Sequence, residues 1–208
     1  MNDDDAAPKR GRPRKETRRE EIIDAALAEF TENGFDRTRI EDVAKRAGVA
    51  KGTVYLYHTD KAALFEAVIR ARILPTADAI DGMIDSFPGS TEELIRAAFK
   101  LFYARISSGE VPALLRIFVT EGVRFPHLIE FYEREVISKF ERLIRRIIDR
   151  AIARGEVRDG PATRLPQVLV APAIVAALWQ ITFQPYNRID VETFFEAHLD
   201  LLFGGFKA

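Results

Sequence analysis

The sequence predicts an all-α fold of about nine helices, a three-helix N-terminal unit followed by a larger helical bundle. Three observations carry that prediction. Nearly every segment after residue 16 repeats its apolar residues at three- and four-residue steps, and no useful length alternates as a strand would. The ends of those segments fall on glycines, prolines and capping residues. The chain has 208 residues, 47% hydrophobic and 30% charged, enough apolar material for a core and far from the make-up of a disordered chain.

The first helix is predicted from Thr17 to Asn33, where Ile22, Ile23, Ala26, Leu27 and Phe30 form one apolar stripe. Gly34 ends it, because glycine takes the left-handed conformation without steric cost. Thr38 and Glu41 have capping-box spacing at the start of a second helix, which stops at Gly48. A third, short helix covers roughly Lys51 to Tyr57, and Asp60 caps a fourth that Pro75 bends or breaks. Ser90 and Glu93 form another capping box ahead of Leu94, Ala98, Phe99, Phe102 and Ile106, in a helix ending near Gly109. Pro112 starts the next, up to about Arg124. Pro126 starts a long one, with Phe131, Val136, Phe140, Leu143, Ile144 and Ile147 inward, ending at Gly155. A helix over about 162–183 is apolar nearly all round, and the last spans about 191–203.

The stretch RIEDVAKRAGVAKGTVYLYHTDK, Arg39 to Lys61, meets the demands of a helix-turn-helix. Two short helices crossing steeply need a small residue where they touch, a turn residue tolerant of positive φ, and apolar pins on either side. Ala44, Gly48 and the trio Val43, Val49 and Val54 supply them. The third helix would then enter a major groove with its outward residues. Lys51, Thr53, Tyr55 and Tyr57 are donors of the right reach, and Gly52 lets the backbone approach a phosphate. Thr38 and Arg39 open the second helix, where backbone N–H groups and the helix dipole attract a phosphate, and Lys61 does the same on the other flank. Thr53 and Tyr55 are the candidates for reading base edges.

From about Thr17 to Phe65 the chain resembles the DNA-binding domain of the TetR family of transcriptional regulators, with IEDVAKRAGVAKGTVYLY and DKAALF matching its pattern almost throughout. The resemblance implies that Thr38, Arg39, Lys51, Gly52, Thr53, Tyr55, Tyr57 and Lys61 touch operator DNA, mostly at phosphates. One departure is His58, where relatives often carry a large apolar residue; its ring is expected to pack. The expected divisions are a basic arm over 1–16, a helix-turn-helix domain over 17–60 and a ligand-binding and dimerisation domain over 61–208.

Residues 9 to 15 read KRGRPRK, and from Lys9 to Arg19 seven basic groups face one acid, Glu16, although the net charge of the chain is -1. Arg-Gly-Arg-Pro is the core of the AT-hook, an extended backbone that splays arginines into a narrow minor groove of enhanced negative potential. Arg10, Arg12 and Arg14 are therefore expected to reach round the duplex, as homeodomain arms do. A solvated tail is the alternative.

A single helix-turn-helix unit covers little DNA, so such proteins pair, and their two-fold symmetry is mirrored in a palindromic operator. The helix over 162–183 needs more burial than one small domain offers; with Phe194, Phe195, Leu199 and Leu202 of the last helix it is expected to form a homodimer interface. The family resemblance implies a ligand pocket in the same domain, and Leu114 to Leu128 and Val170 to Phe183 resemble a C-terminal domain found in part of the family. Phe99, Phe102, Tyr103, Phe118, Trp179 and Phe183 are the candidate pocket residues, with Arg116, Glu121 or His127 as a polar end, suited to a small apolar or aromatic effector.

Other function classes find little in the residues. There is no cysteine, His58, His127 and His198 lie in separate segments, and no glycine-rich phosphate loop occurs, so neither an enzyme nor a metal or cofactor site is expected. The most apolar stretch, Val168 to Trp179, is shorter than the roughly 20 residues that span a bilayer, and no apolar segment opens the chain; a cytoplasmic location is expected. The expected function is a ligand-responsive repressor. The alternative is a low-specificity, chromatin-organising DNA-binding protein without an effector.

Overall fold

The computed structural model describes residues 12–204, and the side chains of all of these except residues 12–14 and 162. The described residues form helices and connecting turns only. Twelve α-helical segments are present among them, and they reduce to nine when segments that run end to end are joined: α1 (Arg12–Arg37), α2 (Ile40–Arg46), α3 (Lys51–Tyr55), α4 (Lys61–Arg72), α5 (Leu74–Ile84), α6 (Thr91–Ser107), α7 (Glu110–Glu121), α8 (Pro126–Tyr132), α9 (Ser138–Ala153), α10 (Pro161–Arg164), α11 (Pro166–Thr182) and α12 (Val191–Gly204). The chain divides into two compact units, 1–68 and 69–208, not at 60. The first two-thirds of α4 belong with the N-terminal unit; Leu64, Phe65 and Val68 are fully buried there, Phe65 among its aromatic rings.

In the N-terminal unit the stripe of α1 buries Ile22, Ile23, Ala26 and Phe30. Phe30, Phe35 and Phe65 form its aromatic centre: Phe65 meets the other two rings edge-on, at 5.1 and 5.4 Å between centroids. Each such ring contributes about 1.5–3 kcal/mol by burial, and its edge-to-face geometry adds to that. Helical geometry breaks at Gly34, with φ 77°, where the sequence predicts it. The start of α1 differs from expectation. Its backbone is already helical at Arg12 and Pro13, the described half of the stretch expected to be extended, because proline in a first turn has no N–H to satisfy and a φ suited to a helix. Arg10 and the side chains of Arg12 and Arg14 lie outside the described residues.

Glu29, almost buried, accepts from Arg46 Nε at 2.8 Å and Asn33 Nδ2 at 2.9 Å, and Arg46 also forks onto Glu32. This clamp ties α2 to α1. The capping box expected at Thr38 is absent: Thr38 is 2% exposed, its hydroxyl lies 2.6 Å from the carbonyl of Gly34 and 3.1 Å from that of Glu29, and Arg39 occupies the N-cap. The hydroxyl satisfies carbonyls at the break in α1, which a cap would leave orphaned.

In the C-terminal unit α5, α6 and α9 enclose one apolar cluster of Ala77, Ile80, Ile84, Leu94, Ala98, Leu143 and Ile147. Ile106, Val111, Ala173, Ala176, Val191 and Phe195 form a second between α6, α7, α11 and α12. Ser90 and Glu93 make the expected capping box. Arg150 of α9 donates to the carbonyls of Phe87 and Gly89, both at 2.9 Å, and to Thr91 Oγ1, closing the turn ahead of α6.

Two features depart from the predicted helices. Between α8 and α9 lies a π-helical turn, Glu133–Ile137, which inserts an extra residue and rotates the faces on either side. The helix expected over 162–183 is two pieces, because Leu165 precedes Pro166 and the proline ring excludes it from the α region; Leu165 has φ -118° and ψ 89°. No described helix is long and apolar enough to cross a membrane.

Candidate nucleic-acid interface and ligand cavity

Everything that aims α3 is local to the N-terminal unit. Gly48, at φ 65°, closes α2 with paired hydrogen bonds: Val49 N–H donates to the Ala44 carbonyl at 2.9 Å and Gly48 N–H to that of Lys45 at 3.2 Å. This is the glycine-terminated helix end in which orphan carbonyls are met by the next two N–H groups. Val54 is fully buried, and Val43 and Ala44 of α2 are buried as well, so one side of α3 is fixed to the core and the other is turned to solvent. On that side lie Lys51, Gly52, Tyr55 at 45% exposure and Leu56 at 83%. Thr53 and Tyr57 are half-buried at its edges, and Arg39 is exposed at the uncapped start of α2.

Lys51 is held by Glu41 at 2.5 Å, which raises its pKa and lowers that of Glu41, and its ammonium lies 5.7 Å from the Tyr55 ring centre. The ion pair is exposed, so an incoming phosphate competes with it on even terms. Lys61 donates to the Asp36 carbonyl at 2.8 Å and lies over the Phe35 ring, so its charge is on the expected flank but is also a tie between α4 and the end of α1. Thr38 is the exception among the residues expected to touch DNA, since its side chain faces inward. Leu56 is an addition to the predicted surface. A leucine reads as core in a hydrophobicity pattern, and only its position two residues from the inward Val54, on the opposite side of a helix, marks it as outward.

His58 packs as expected, at 6% exposure. Burial, and then the charge of Arg19, lowers its pKa below the ordinary 6.5, and its Nε2 has no hydrogen-bond partner among the described residues. It is a neutral core residue and is closed to a phosphate.

The C-terminal unit contains an apolar cavity of about 240 Å³ walled by α5, α6, the π turn, α9 and α11. Phe99 and Phe102, two of the candidate pocket residues, line it. The other pocket candidates do not. Tyr103 packs edge-on against Phe195 with a buried, unpartnered hydroxyl whose pKa is raised by burial and by Asp190 and Glu192. Phe118 is buried against Tyr132, at 4.2 Å between ring centres. Trp179 donates to the Asn187 carbonyl at 2.6 Å and packs on Phe183, which is half exposed. Glu121, Arg116 and His127 are also absent from the wall. What replaces them is largely aliphatic: Val136, Ile144, Val170 and Ile174, with Phe140 and Tyr132. Burial pushes the Tyr132 hydroxyl up to about 12, so it stays protonated.

The interface expected on α12 also changes. Phe195 and Leu199 are buried inside the unit, Phe194 packs on the second cluster, and Leu202 faces a cavity. Exposed apolar side chains lie instead on α11, at Val168, Ile174, Val175 and Leu178, and at Leu201 of α12.

Comparison with known proteins agrees with this geometry. Residues 22–68 match the family "Bacterial regulatory proteins, tetR family", and residues 88–194 match "Tetracyclin repressor-like, C-terminal domain". The uncharacterized HTH-type transcriptional regulator YvdT of Bacillus subtilis is 30% identical over 144 residues, spanning 68% of this chain and 70% of YvdT. Among solved structures, the transcriptional regulator FadR of Bacillus subtilis in complex with stearoyl-CoA is similar with a TM-score of 0.74 at 21% identity, over 90% of this chain and 99% of FadR. The SmeT–triclosan complex has a TM-score of 0.77 at 20% identity, over 91% of each chain; SmeT is the repressor of a Stenotrophomonas maltophilia multidrug efflux pump. At these identities the two structures speak to the fold, and the domain and sequence matches to the family. The chain belongs to the TetR family of bacterial transcriptional regulators, and it is a regulator and not an enzyme.

Proposed function

We propose that the protein is a ligand-responsive repressor that binds a palindromic operator as a homodimer in the cytoplasm. The observation that carries this reading is α3, pinned inward by Val54 and offering Lys51, Gly52, Tyr55 and Leu56 outward. Lys51, Arg39, Tyr57 and Lys61 hold phosphates and set the register, while Thr53 and Tyr55 read base edges and Leu56 is placed for a thymine methyl group. Thr38 supports the start of α2 from within. The basic arm, with Arg10, Arg12 and Arg14, adds charge along the duplex.

Pairing through α11 and α12 covers Val168, Ile174, Val175, Leu178 and Leu201, apolar side chains that one copy leaves in water. The apolar cavity supports an effector that shifts the spacing of the two reading heads, and FadR with stearoyl-CoA and SmeT with triclosan are similar folds that hold small molecules. Selecting bound fragments from genomic DNA with the purified protein tests the reading. Enrichment of a palindrome with half-sites about 34–36 Å apart supports it, and a flat distribution of fragments overturns it.

A further inference from the structure

A second cavity, of about 490 Å³, opens at the end of the C-terminal unit where the 155–160 turn meets the starts of α6 and α11 and the end of α12. It shares a wall with the apolar cavity: Ile95, Ile147, Leu169 and Leu202 line both. The two compartments differ in chemistry. In the apolar one Glu141 is the only charged side chain among the described residues, and its carboxylate already accepts from Gln167 at 2.5 Å. In the larger one three carboxylates each meet a base: Glu92 meets Arg96 at 2.9 Å, Glu156 meets Arg154 at 2.7 Å, and Asp159 meets Arg164 at 3.5 Å. Arg96 also holds Glu196 and Asp200, which lie outside the cavity wall. Arg158 stands apart. It lines the larger cavity, it is exposed, and among the described residues no carboxylate pairs with it.

We propose that the two cavities are one site for a single-chain amphiphile with an anionic head, its hydrocarbon chain in the apolar compartment and its head on Arg158. An apolar compartment rewards each methylene it removes from water. A guanidinium without a protein partner rewards a carboxylate or phosphate, which it binds through two parallel hydrogen bonds. The direction is set at both ends, since Glu141 disfavours an anion in the apolar compartment and Arg158 favours one in the other. Leu169 and Leu202, half-buried on the shared wall, are the side chains that turn aside to let the chain through. Carboxylates of long-chain acids and phosphates of their thioesters share this chemistry. The proposal rests on reading this unit as the effector domain.

The test is calorimetric titration of the full-length protein, below micellar concentrations, with palmitate, palmitoyl-coenzyme A, hexadecanol and the C12 and C14 acids. Palmitate is expected to bind, with affinity falling about fourfold for each methylene removed. Arg158→Glu is expected to weaken palmitate and palmitoyl-coenzyme A at least tenfold while changing hexadecanol less than twofold; the tighter of the two anions identifies the natural head group. Ile144→Trp, which fills the apolar compartment alone, is expected to abolish all binding while the thermal melt stays cooperative. Palmitate binding that ignores Arg158, or that equals hexadecanol binding, overturns the proposal. Arg158 is exposed, so that variant stays informative even if Ile144→Trp unfolds. An operator-release assay separates the two readings: binding in the expected pattern without release of DNA sinks the effector reading and leaves the site standing.

Discussion

Gly52→Ala separates folding from recognition, because the two are expected to respond with opposite signs. Gly52 lies in the first turn of α3 with nothing within 4 Å of where a Cβ would stand, and its φ is not in the left-handed region. Alanine therefore fits without strain, and it narrows the unfolded ensemble. In a helix interior that exchange is worth roughly 0.5–1 kcal/mol. In a five-residue helix, near its end, the lower figure of about 0.5 kcal/mol applies. If the backbone at Gly52 lies against a phosphate, however, the new methyl group enters the space the phosphate needs. Displacing that one phosphate costs about 1.4 kcal/mol, or tenfold in affinity. Gly48→Ala provides the contrast. Space is open there too, but φ is 65°, so a side chain costs roughly 1–2 kcal/mol of folding stability. Urea denaturation monitored by circular dichroism, with operator affinity by fluorescence anisotropy, measures both effects. A stabilised Gly52→Ala protein that binds operator as tightly as the parent would refute the placement of α3 in the groove.

Three further outcomes are expected. Replacing Arg10, Arg12 and Arg14 with alanine should weaken operator binding and flatten its salt dependence, reducing the slope by up to about 0.9 for each phosphate no longer neutralised, in titrations from about 50 to 200 mM salt; an unchanged slope removes the arm from the interface. Val175→Glu, on the open face of α11, should convert the proposed dimer to monomer in light scattering while the C-terminal unit keeps its helical signal, whereas a dimer that survives places the interface elsewhere. His58 and His198 both have pKa values lowered by burial. The unfolded chain takes up protons at these sites below about 6.5 and the folded chain does not, so their contribution to stability is complete above that pH and is lost as pH falls toward the lowered folded values. His58→Phe should reduce the loss of urea midpoint between about pH 7.5 and pH 5.5, and an unaltered pH profile would contradict the buried, neutral state of that ring.

What is legible in the residues is local. The turn at Gly48, the inward Val54 and the cap at Asp60, whose carboxylate accepts from Ala63 N–H at 2.8 Å, depend on neighbours within a few positions. Thr38 escapes the spacing rule because its hydroxyl is claimed by the Glu29 carbonyl, an interaction that spacing along one helix does not reveal. The cavity escapes it for two reasons. Aromatic residues are the conspicuous candidates, yet Phe118 and Trp179 are consumed by packing on Tyr132 and Phe183. Periodicity also does not separate a cavity wall from a packed core: Val136, Phe140, Leu143, Ile144 and Ile147 are the side expected inward across the π turn, and they line the cavity. On α11 an apolar pattern all round carries no phase, and only packing shows that Ala173, Ala176 and Ala177 go inward, that Ile174 is shared between the cavity wall and the surface, and that Val175 and Leu178 stay out. The same missing phase makes Phe195 and Leu199 look like interface residues when they belong to the core.

The decisive comparison is the affinity of the intact protein for its selected palindrome against a random duplex of equal length at physiological salt, repeated with Lys51→Glu and Tyr55→Ala. A helix that reads base edges gives a preference of roughly a thousandfold or more. That preference should collapse in the Tyr55 variant, while the Lys51 variant weakens both duplexes together. Equal affinity for both duplexes in the parent protein would make it a sequence-indifferent binder, and α3 would no longer be the element that chooses the site.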